Sequence, residues 1–169
     1  MVYALGNKGW ICVYVVYKAL FFLYIFFINS SSQIRIIWLV KDFNSWNLKK
    51  QELDTRVHFF HPKVGEIWWC IIGMNIGSEI YGKGESYLRP VLVIELGQHD
   101  NFIGIPLTSK KKRSLRSCII RSEDGILHTA LISQLRCFDK RRLLEKKSAL
   151  SNDEFKLIKN CLKSVLKIW

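Results

Sequence analysis

Between residues 64 and 147, short runs of apolar and β-branched residues alternate with polar or glycine-containing turns. This spacing is typical of β-strands, because each run has the length of a strand and ends at a turn residue. The pattern predicts a small antiparallel barrel or sandwich. The predicted strands cover residues 64–73, 89–96, 101–107, 114–121 and 126–132, and a further short strand lies near residues 142–147.

The predicted strand at residues 89–96 begins with the pair Arg89-Pro90. Proline has no N–H group to donate to a neighbouring strand, so Pro90 is expected at the start of its strand or at a sheet edge. Because Pro90 also restricts the local backbone, Arg89 is expected to be held rigidly. A guanidinium held in this way can bind a phosphate through two parallel hydrogen bonds. Taken alone, an arginine before a proline is more often a solvated surface residue.

Helical patterns flank the predicted strands. Residues 151–154 have the S-x-x-E pattern of a capping box, and the apolar residues that follow recur at helical spacing with lysines on the other side. This pattern predicts a carboxy-terminal helix that packs on the barrel. Residues 41–56 place apolar side chains among charges and predict a short amphipathic helix or arm.

The first 38 residues have a different composition. Residues 10–28 contain a single charge, Lys18, and are long enough to span a membrane as a helix. If they do, the basic residues after the run would keep the carboxy-terminal part in the cytoplasm, attached to the inner membrane. Two other interpretations are open: translation from upstream of the true start, and a buried segment of a soluble protein. The predicted organisation is a hydrophobic segment at 1–38, an arm at 39–56 and a domain at 57–169.

Charge and cysteine content narrow the possible functions. The net charge is +12, from 26 Lys and Arg against 14 Asp and Glu, which favours an anionic partner such as nucleic acid, an acidic protein or a membrane surface. The five cysteines show no C-x-x-C spacing, which predicts reduced thiols in a cytoplasmic protein. The four histidines form no metal-binding pattern, so no metal and no cofactor are expected.

Four sequence pieces occur in a specific order: GEIWW at 65–69, NIGSE leading to RPVLVI at 75–94, GIPLTS at 104–109 and TALISQLRCFDKRRL at 129–143. With the terminal helix, residues 57–168 resemble the PemK/MazF family of toxin endoribonucleases from type II toxin–antitoxin systems. The resemblance implies a mainly β (α+β) fold, a small SH3-like barrel with a carboxy-terminal helix. It also implies a homodimer that cuts single-stranded RNA, including mRNA, at short motifs without a metal, and so inhibits translation and growth. A small acidic antitoxin protein is the implied partner.

The resemblance also assigns roles to individual residues. The family's catalytic arginine and threonine correspond to Arg89 and Thr108, with Ser109 next to the threonine in a supporting position. Glu79 corresponds to a glutamate that either orders its loop or assists proton transfer. Ser133 and Gln134 correspond to a pair expected to support the site. Some relatives carry an aspartate in place of Ser133, which leaves the general base unassigned.

A second group of residues is expected to bind RNA. Lys83 and Tyr87 lie in the glycine-containing segment 79–90, which is either a specificity loop or an ordinary mobile loop. A basic tract after Thr108 can follow the RNA backbone, and it is otherwise a solvated charged surface. The tract consists of Lys110, Lys111, Lys112, Arg113 and Arg116.

Two other functions compete with RNA cleavage, because a fold does not determine a function. One is a gyrase-directed toxin on the same barrel, and the other is a nucleic-acid-binding or membrane-tethered module without catalysis. Gyrase-directed relatives lack the Arg/Thr pair and act through their carboxy-terminal end, so the presence of Arg89 and Thr108 favours the endoribonuclease.

Overall fold

The computed structural model describes residues 41–57, 60–110 and 116–167. Within the chain, Lys41–Trp169 forms one compact unit. The predictions for residues 1–38, including a membrane span at 10–28, lie outside the described residues. Among the helices that are described, none is long and apolar enough to cross a membrane.

Seven antiparallel strands form the body of this unit, in the order β4-β5-β3-β2-β1-β7, with β6 pairing with β3 as well. A hydrogen bond of 2.9 Å from the Glu123 N–H to the Ala149 carbonyl joins the β4–β5 turn to the end of β7. The two ends of the sheet are therefore brought together, and the predicted small antiparallel barrel is confirmed. The strands are β1 (Glu66–Ile71), β2 (Leu88–Leu96), β3 (Asn101–Thr108), β4 (Cys118–Arg121), β5 (Leu127–Ala130), β6 (Arg136–Asp139) and β7 (Leu143–Ala149).

Strand β3 occupies the centre of this arrangement. Its first half pairs with β6 and its last two residues, Leu107 and Thr108, pair with β5, while β2 runs along its other side. Strand β2 begins at Leu88, and its pairing with β3 starts at Val91. Pro90 thus lies near the start of its strand, as expected, where its missing N–H interrupts no pairing with β3.

Strands β1 and β2 are buried on both faces, because side chains alternate along a strand and both sides of this sheet are covered. One face contributes Ile67 and Leu92 to a cluster that also contains Ile158. The opposite face contributes Trp68 and Val91 to a second cluster around Phe102 and Phe138. This double burial explains the nearly continuous apolar runs in these two strands.

Both predicted helices are present. Helix α1 (Phe43–Asp54) begins after Asp42, whose carboxylate accepts hydrogen bonds from the N–H groups of Asn44 and Ser45. Helix α2 (Asn152–Leu166) begins after Ser151, whose hydroxyl accepts from the Glu154 N–H, as the capping pattern predicts. Ile158 is the fully buried residue of α2 in the barrel core.

Helix α1 packs on the barrel through Trp46 and Leu53, which join Ile71 and Tyr87 in a third buried cluster. The approach is close at Gly73, whose backbone has a φ of +87°; a Cβ atom there would lie 2.1 Å from a ring carbon of Trp46. Glycine is therefore required at this position both for its conformation and for the contact.

Candidate active site

Arg89 is the second residue of β2, and its side chain is largely buried, with 8% of its surface exposed. Its Nε–H donates to the main-chain carbonyl of Tyr81 at 2.5 Å. Burial lowers the pKa of Arg89 from its usual value. Because an arginine guanidinium starts from such a high pKa, it keeps its charge at neutral pH. The structure thus provides a fixed, charged and partly desolvated guanidinium.

Thr108 is the last residue of β3, and it is also 8% exposed. Its hydroxyl oxygen accepts a hydrogen bond of 3.3 Å from the Lys110 N–H. Strands β2 and β3 pair with Val91 opposite Pro106. Continuing that antiparallel register by two residues places Arg89 opposite Thr108, and the period of two puts both side chains on the same face.

A cavity of about 210 Å³ contains both residues. Of the described residues that line it, three are basic and none is acidic. A positive cavity of this kind is suited to an anion, since the guanidinium and the lysines offer several donors at one place. Its lining residues are Ile80, Tyr81, Lys83, Arg89, Thr108, Lys110 and Leu131.

A larger cavity of about 470 Å³ shares Arg89 and Lys83 with the first one. Ser109 lines this second cavity, together with Trp69, His128 and Lys147. Burial and the neighbouring Lys147 lower the pKa of His128, whose Nε2 lies 3.1 Å from the Ser122 hydroxyl. The imidazole is therefore neutral at pH 7. Arg89 therefore lines both cavities: the smaller one, which is suited to an anion, and the larger one, which also contains the aromatic side chain of Trp69.

Two of the predicted supporting residues have structural contacts. Gln134 Oε1 accepts a hydrogen bond of 3.2 Å from the Ile80 N–H, which fixes the segment that contains the Tyr81 carbonyl. Glu79 accepts from the Ile76 N–H at 3.1 Å and stabilises its own turn. Ser133 is exposed in the short 3-10 helix Ile132–Gln134. Neither Glu79 nor Ser133 is among the described residues lining the two cavities.

The predicted RNA-binding residues separate into groups. Lys83 and Lys110 line the cavities, and Arg116 is exposed at the start of the β4 segment. The Tyr87 ring is buried and packs edge-on against Trp46 with ring centroids 5.2 Å apart. It therefore offers no exposed face on which a base could stack. Lys111, Lys112 and Arg113 lie outside the described residues.

Sequence reasoning missed most of the larger cavity, including its residues Trp69, His128 and Lys147. They come from β1, β5 and β7, which are distant in sequence, and no local motif joins them. In the part of the chain that is described, no three His, Cys, Asp or Glu side chains converge into a possible metal site.

Comparison with known proteins identifies the family. The profile of the PemK-like, MazF-like toxins of type II toxin–antitoxin systems matches residues 63–166. MazF from Deinococcus radiodurans is similar in fold, with a TM-score of 0.53 and 23% identity over 64% of this chain and 99% of that chain. A MazE–MazF structure from the same organism has a TM-score of 0.51 and 20% identity over 65% and 99%.

An endoribonuclease from mycobacterial species has a TM-score of 0.51 and 12% identity over 66% of this chain and 97% of that chain. No curated protein sequence matches significantly. At these identities the solved structures show a shared fold, and the profile match supplies the family. This chain belongs to the PemK-like, MazF-like family of toxins of type II toxin–antitoxin systems.

Proposed function

We propose that this protein is an endoribonuclease that cuts single-stranded RNA at a phosphate bound between Arg89 and Thr108. The observation that carries the proposal is the shared cavity, in which both side chains meet Lys83 and Lys110. An RNA phosphate brings a negative charge to a place with three cationic side chains. Family membership supports the same activity, and the mycobacterial relative of similar fold is itself described as an endoribonuclease.

In the proposed reaction, the 2′-hydroxyl of the RNA gives its proton to water and its oxygen forms a bond to the adjacent phosphorus. The bond from phosphorus to the 5′-oxygen breaks, and the leaving 5′-oxygen takes up a proton from water. Negative charge accumulates on the phosphorane oxygens in the transition state. The Arg89 Nε–H is held by the Tyr81 carbonyl, which leaves the terminal N–H groups of the guanidinium to donate hydrogen bonds to the phosphorane oxygens. The Thr108 hydroxyl donates a hydrogen bond to a second phosphate oxygen. The cationic side chains supply the positive charge, so the reaction proceeds without a metal ion.

Selectivity for short RNA motifs would come from the surfaces beside this phosphate. The larger cavity adjoins Arg89 and offers Trp69, an aromatic ring of the kind on which unpaired bases stack. Cleavage of mRNA at such motifs in the cytoplasm would stop translation and growth. The proposed function is therefore that of a sequence-selective toxin.

The partners follow from charge and family. A chain with a net charge of +12 attracts a small acidic antitoxin protein, which would cover the basic cavity and exclude RNA. The MazE–MazF structure and a mycobacterial endoribonuclease in complex with its cognate antitoxin are relatives of similar fold. The active form is a homodimer.

The direct test is to incubate the purified chain with a long single-stranded RNA in excess EDTA and to map the new 5′ ends. Cuts at a discrete set of short motifs are expected. Cleavage that requires added Mg²⁺ would contradict the metal-free reaction. Binding without cleavage would contradict the enzyme and favour a non-catalytic nucleic-acid-binding module.

A further inference from the structure

The thiols of Cys118 and Cys161 lie against each other although 43 positions separate them in the sequence. Cys118 is the first residue of β4 and is 6% exposed, while Cys161 lies on the barrel side of α2 and is half-buried. Both are free thiols, and their sulfur atoms are in direct contact. A disulfide bond has a length of about 2.05 Å, so only a small approach of the two sulfurs is needed to form one.

We propose that Cys118 and Cys161 are a redox modification site, at which a peroxide or a small disulfide oxidant forms a reversible bond that fastens α2 to β4. This site is separate from the proposed cleavage site and does not depend on it. The contact arises because α2 packs directly on β4 in the barrel core, where both cysteines adjoin the same apolar cluster. The geometry of the folded chain therefore holds the two thiols together before any oxidant arrives.

The two sulfurs have different access to solvent. A cavity of about 270 Å³ is lined by Cys161 and by Ser117, Asn160, Ser164 and Val165, so a small oxidant can reach the Cys161 sulfur. Cys118 lies behind it, and burial together with the adjacent Cys161 sulfur raises the pKa of the Cys118 thiol well above its usual value. Cys118 is therefore a protonated thiol at neutral pH and a poor first nucleophile. The half-buried Cys161, which lines the cavity, reacts first, and the buried Cys118 resolves the intermediate.

With hydrogen peroxide the chemistry balances in two steps. The Cys161 thiolate attacks one peroxide oxygen, the O–O bond breaks, and Cys161 becomes a sulfenic acid while hydroxide leaves and takes up a proton as water. The Cys118 sulfur then attacks the Cys161 sulfur, loses its proton, and displaces the hydroxyl group as a second water. Two thiols are oxidised to one disulfide, and one peroxide is reduced to two waters. Dithiothreitol reverses the bond by thiol–disulfide exchange.

The bond would have a measurable effect on stability. It closes the part of the chain that contains β5, β6 and β7, and cross-linking a loop of this length restricts the unfolded chain. We expect the melting temperature of the oxidised protein to exceed that of the reduced protein by roughly 10 °C. Cys70 and Cys137 provide contrasts, because Cys70 is fully buried and Cys137 is exposed on β6.

The experiment uses the full chain, reduced and then treated with hydrogen peroxide. Free thiols are counted by a mass-tagged maleimide, and linked peptides are mapped without reduction. The expected result is the loss of two thiols per chain, a peptide that joins Cys118 to Cys161, recovery with dithiothreitol and the rise in melting temperature. Cys137→Ser should behave as the unaltered chain does, whereas Cys161→Ser should lose the cross-link.

Three results would overturn the proposal. The first is oxidation that leaves Cys118 and Cys161 unlinked while other cysteines react. The second is a Cys161→Ser chain that still loses two thiols per chain on oxidation. The third is a linked protein whose melting temperature does not change. If Cys161→Ser fails to fold, Cys161→Ala and the peptide map of the unaltered chain still decide the outcome.

Discussion

The Nε–H of Arg89 donates a hydrogen bond to the carbonyl of Tyr81, so the loop before β2 holds the guanidinium that β2 carries. The preceding residue, Ile80, donates its N–H to Gln134 Oε1. Gln134, in the short helix Ile132–Gln134, thus supports the Tyr81 carbonyl, and through it Arg89, by way of the neighbouring residue Ile80. A phosphate-binding arginine needs such support, because catalysis depends on donors that are already in place.

Gln134 should therefore position Arg89 without touching RNA. We expect Gln134→Ala to lower kcat roughly tenfold, because small displacements of a catalytic group are costly. Gln134→Glu should keep most of the rate, since it retains an oxygen that accepts from Ile80. Gln51→Ala, at an exposed glutamine of α1, is the matched control. Equal rates for Gln134→Ala and the unaltered chain would show that the contact has no role in cleavage.

Thr108 should act through its hydroxyl. Thr108→Val keeps the shape of the side chain and suits the end of a strand, but it removes the proposed hydrogen bond to the phosphate. A hydrogen bond to a charged group is worth enough to lower the cleavage rate about 10–100-fold when it is lost. Thr108→Ser should restore most of the rate. If the valine variant cleaves a fluorogenic RNA normally, Thr108 is not part of the site.

Trp46 should anchor α1 to the barrel. Trp46 is 6% exposed, and its ring packs on Gly73 and Tyr87. Because Trp46→Ala truncates a buried aromatic side chain, we expect it to lower the free energy of unfolding by about 3–5 kcal/mol. Leu48→Ala on the same helix should change it by less than about 0.5 kcal/mol, because Leu48 is 67% exposed. Urea denaturation of both variants measures the difference, and similar midpoints would contradict the docking of α1.

His128 should make the folded state sensitive to mild acid. Burial lowers its pKa in the folded protein, so below about pH 6.5 the unfolded chain binds more protons than the folded one. The free energy of unfolding should therefore fall as pH decreases from about 6.5 towards the lowered pKa. The pKa values of Glu66 and Asp139 are also lowered, but these carboxyl groups change the free energy of unfolding only at more acidic pH.

The control for this prediction is a pair of histidine variants. His128→Gln should flatten the decrease in stability just below pH 6.5, whereas His99→Gln, at an exposed position, should leave it unchanged. Thermal melts at closely spaced pH values provide the measurement. If the melting temperature of His128→Gln depends on pH just as that of the unaltered chain does, another group is responsible for the loss of stability below about pH 6.5.

Most of the barrel could be predicted from sequence because its strands have strong local patterns. Strands β1, β2 and β3 are runs of apolar residues that end at turns, and α2 has both a capping pattern and a periodic apolar face. Strand β6 was not predicted, since RCFD is only four residues long and carries a charge at each end. Its strand conformation depends on pairing with β3.

The candidate residues Arg89 and Thr108 were predicted from the family resemblance, whereas neighbours that meet only through packing were not. Arg89 and Thr108 come together because the start of β2 lies beside the end of the antiparallel strand β3. Tyr87, which sequence reasoning placed among the RNA-binding residues, is covered by Trp46 from a helix 41 positions earlier. A contact over that distance leaves no local sequence signal. The same holds for His128 in the larger cavity.

The most direct measurement compares RNA cleavage by the unaltered chain, Arg89→Ala and Arg89→Lys in EDTA, with a thermal melt of each. The cleavage rate of Arg89→Ala should fall about 10²–10³-fold, because the variant lacks one electrostatic donor to the transition state. Arg89→Lys should also fail, because an ammonium group cannot reproduce the two-pronged contact. Lys156→Ala, on the exposed face of α2, should cleave normally. An Arg89→Ala protein that folds and cuts RNA at near the unaltered rate would contradict the assignment of this cavity as the site of cleavage.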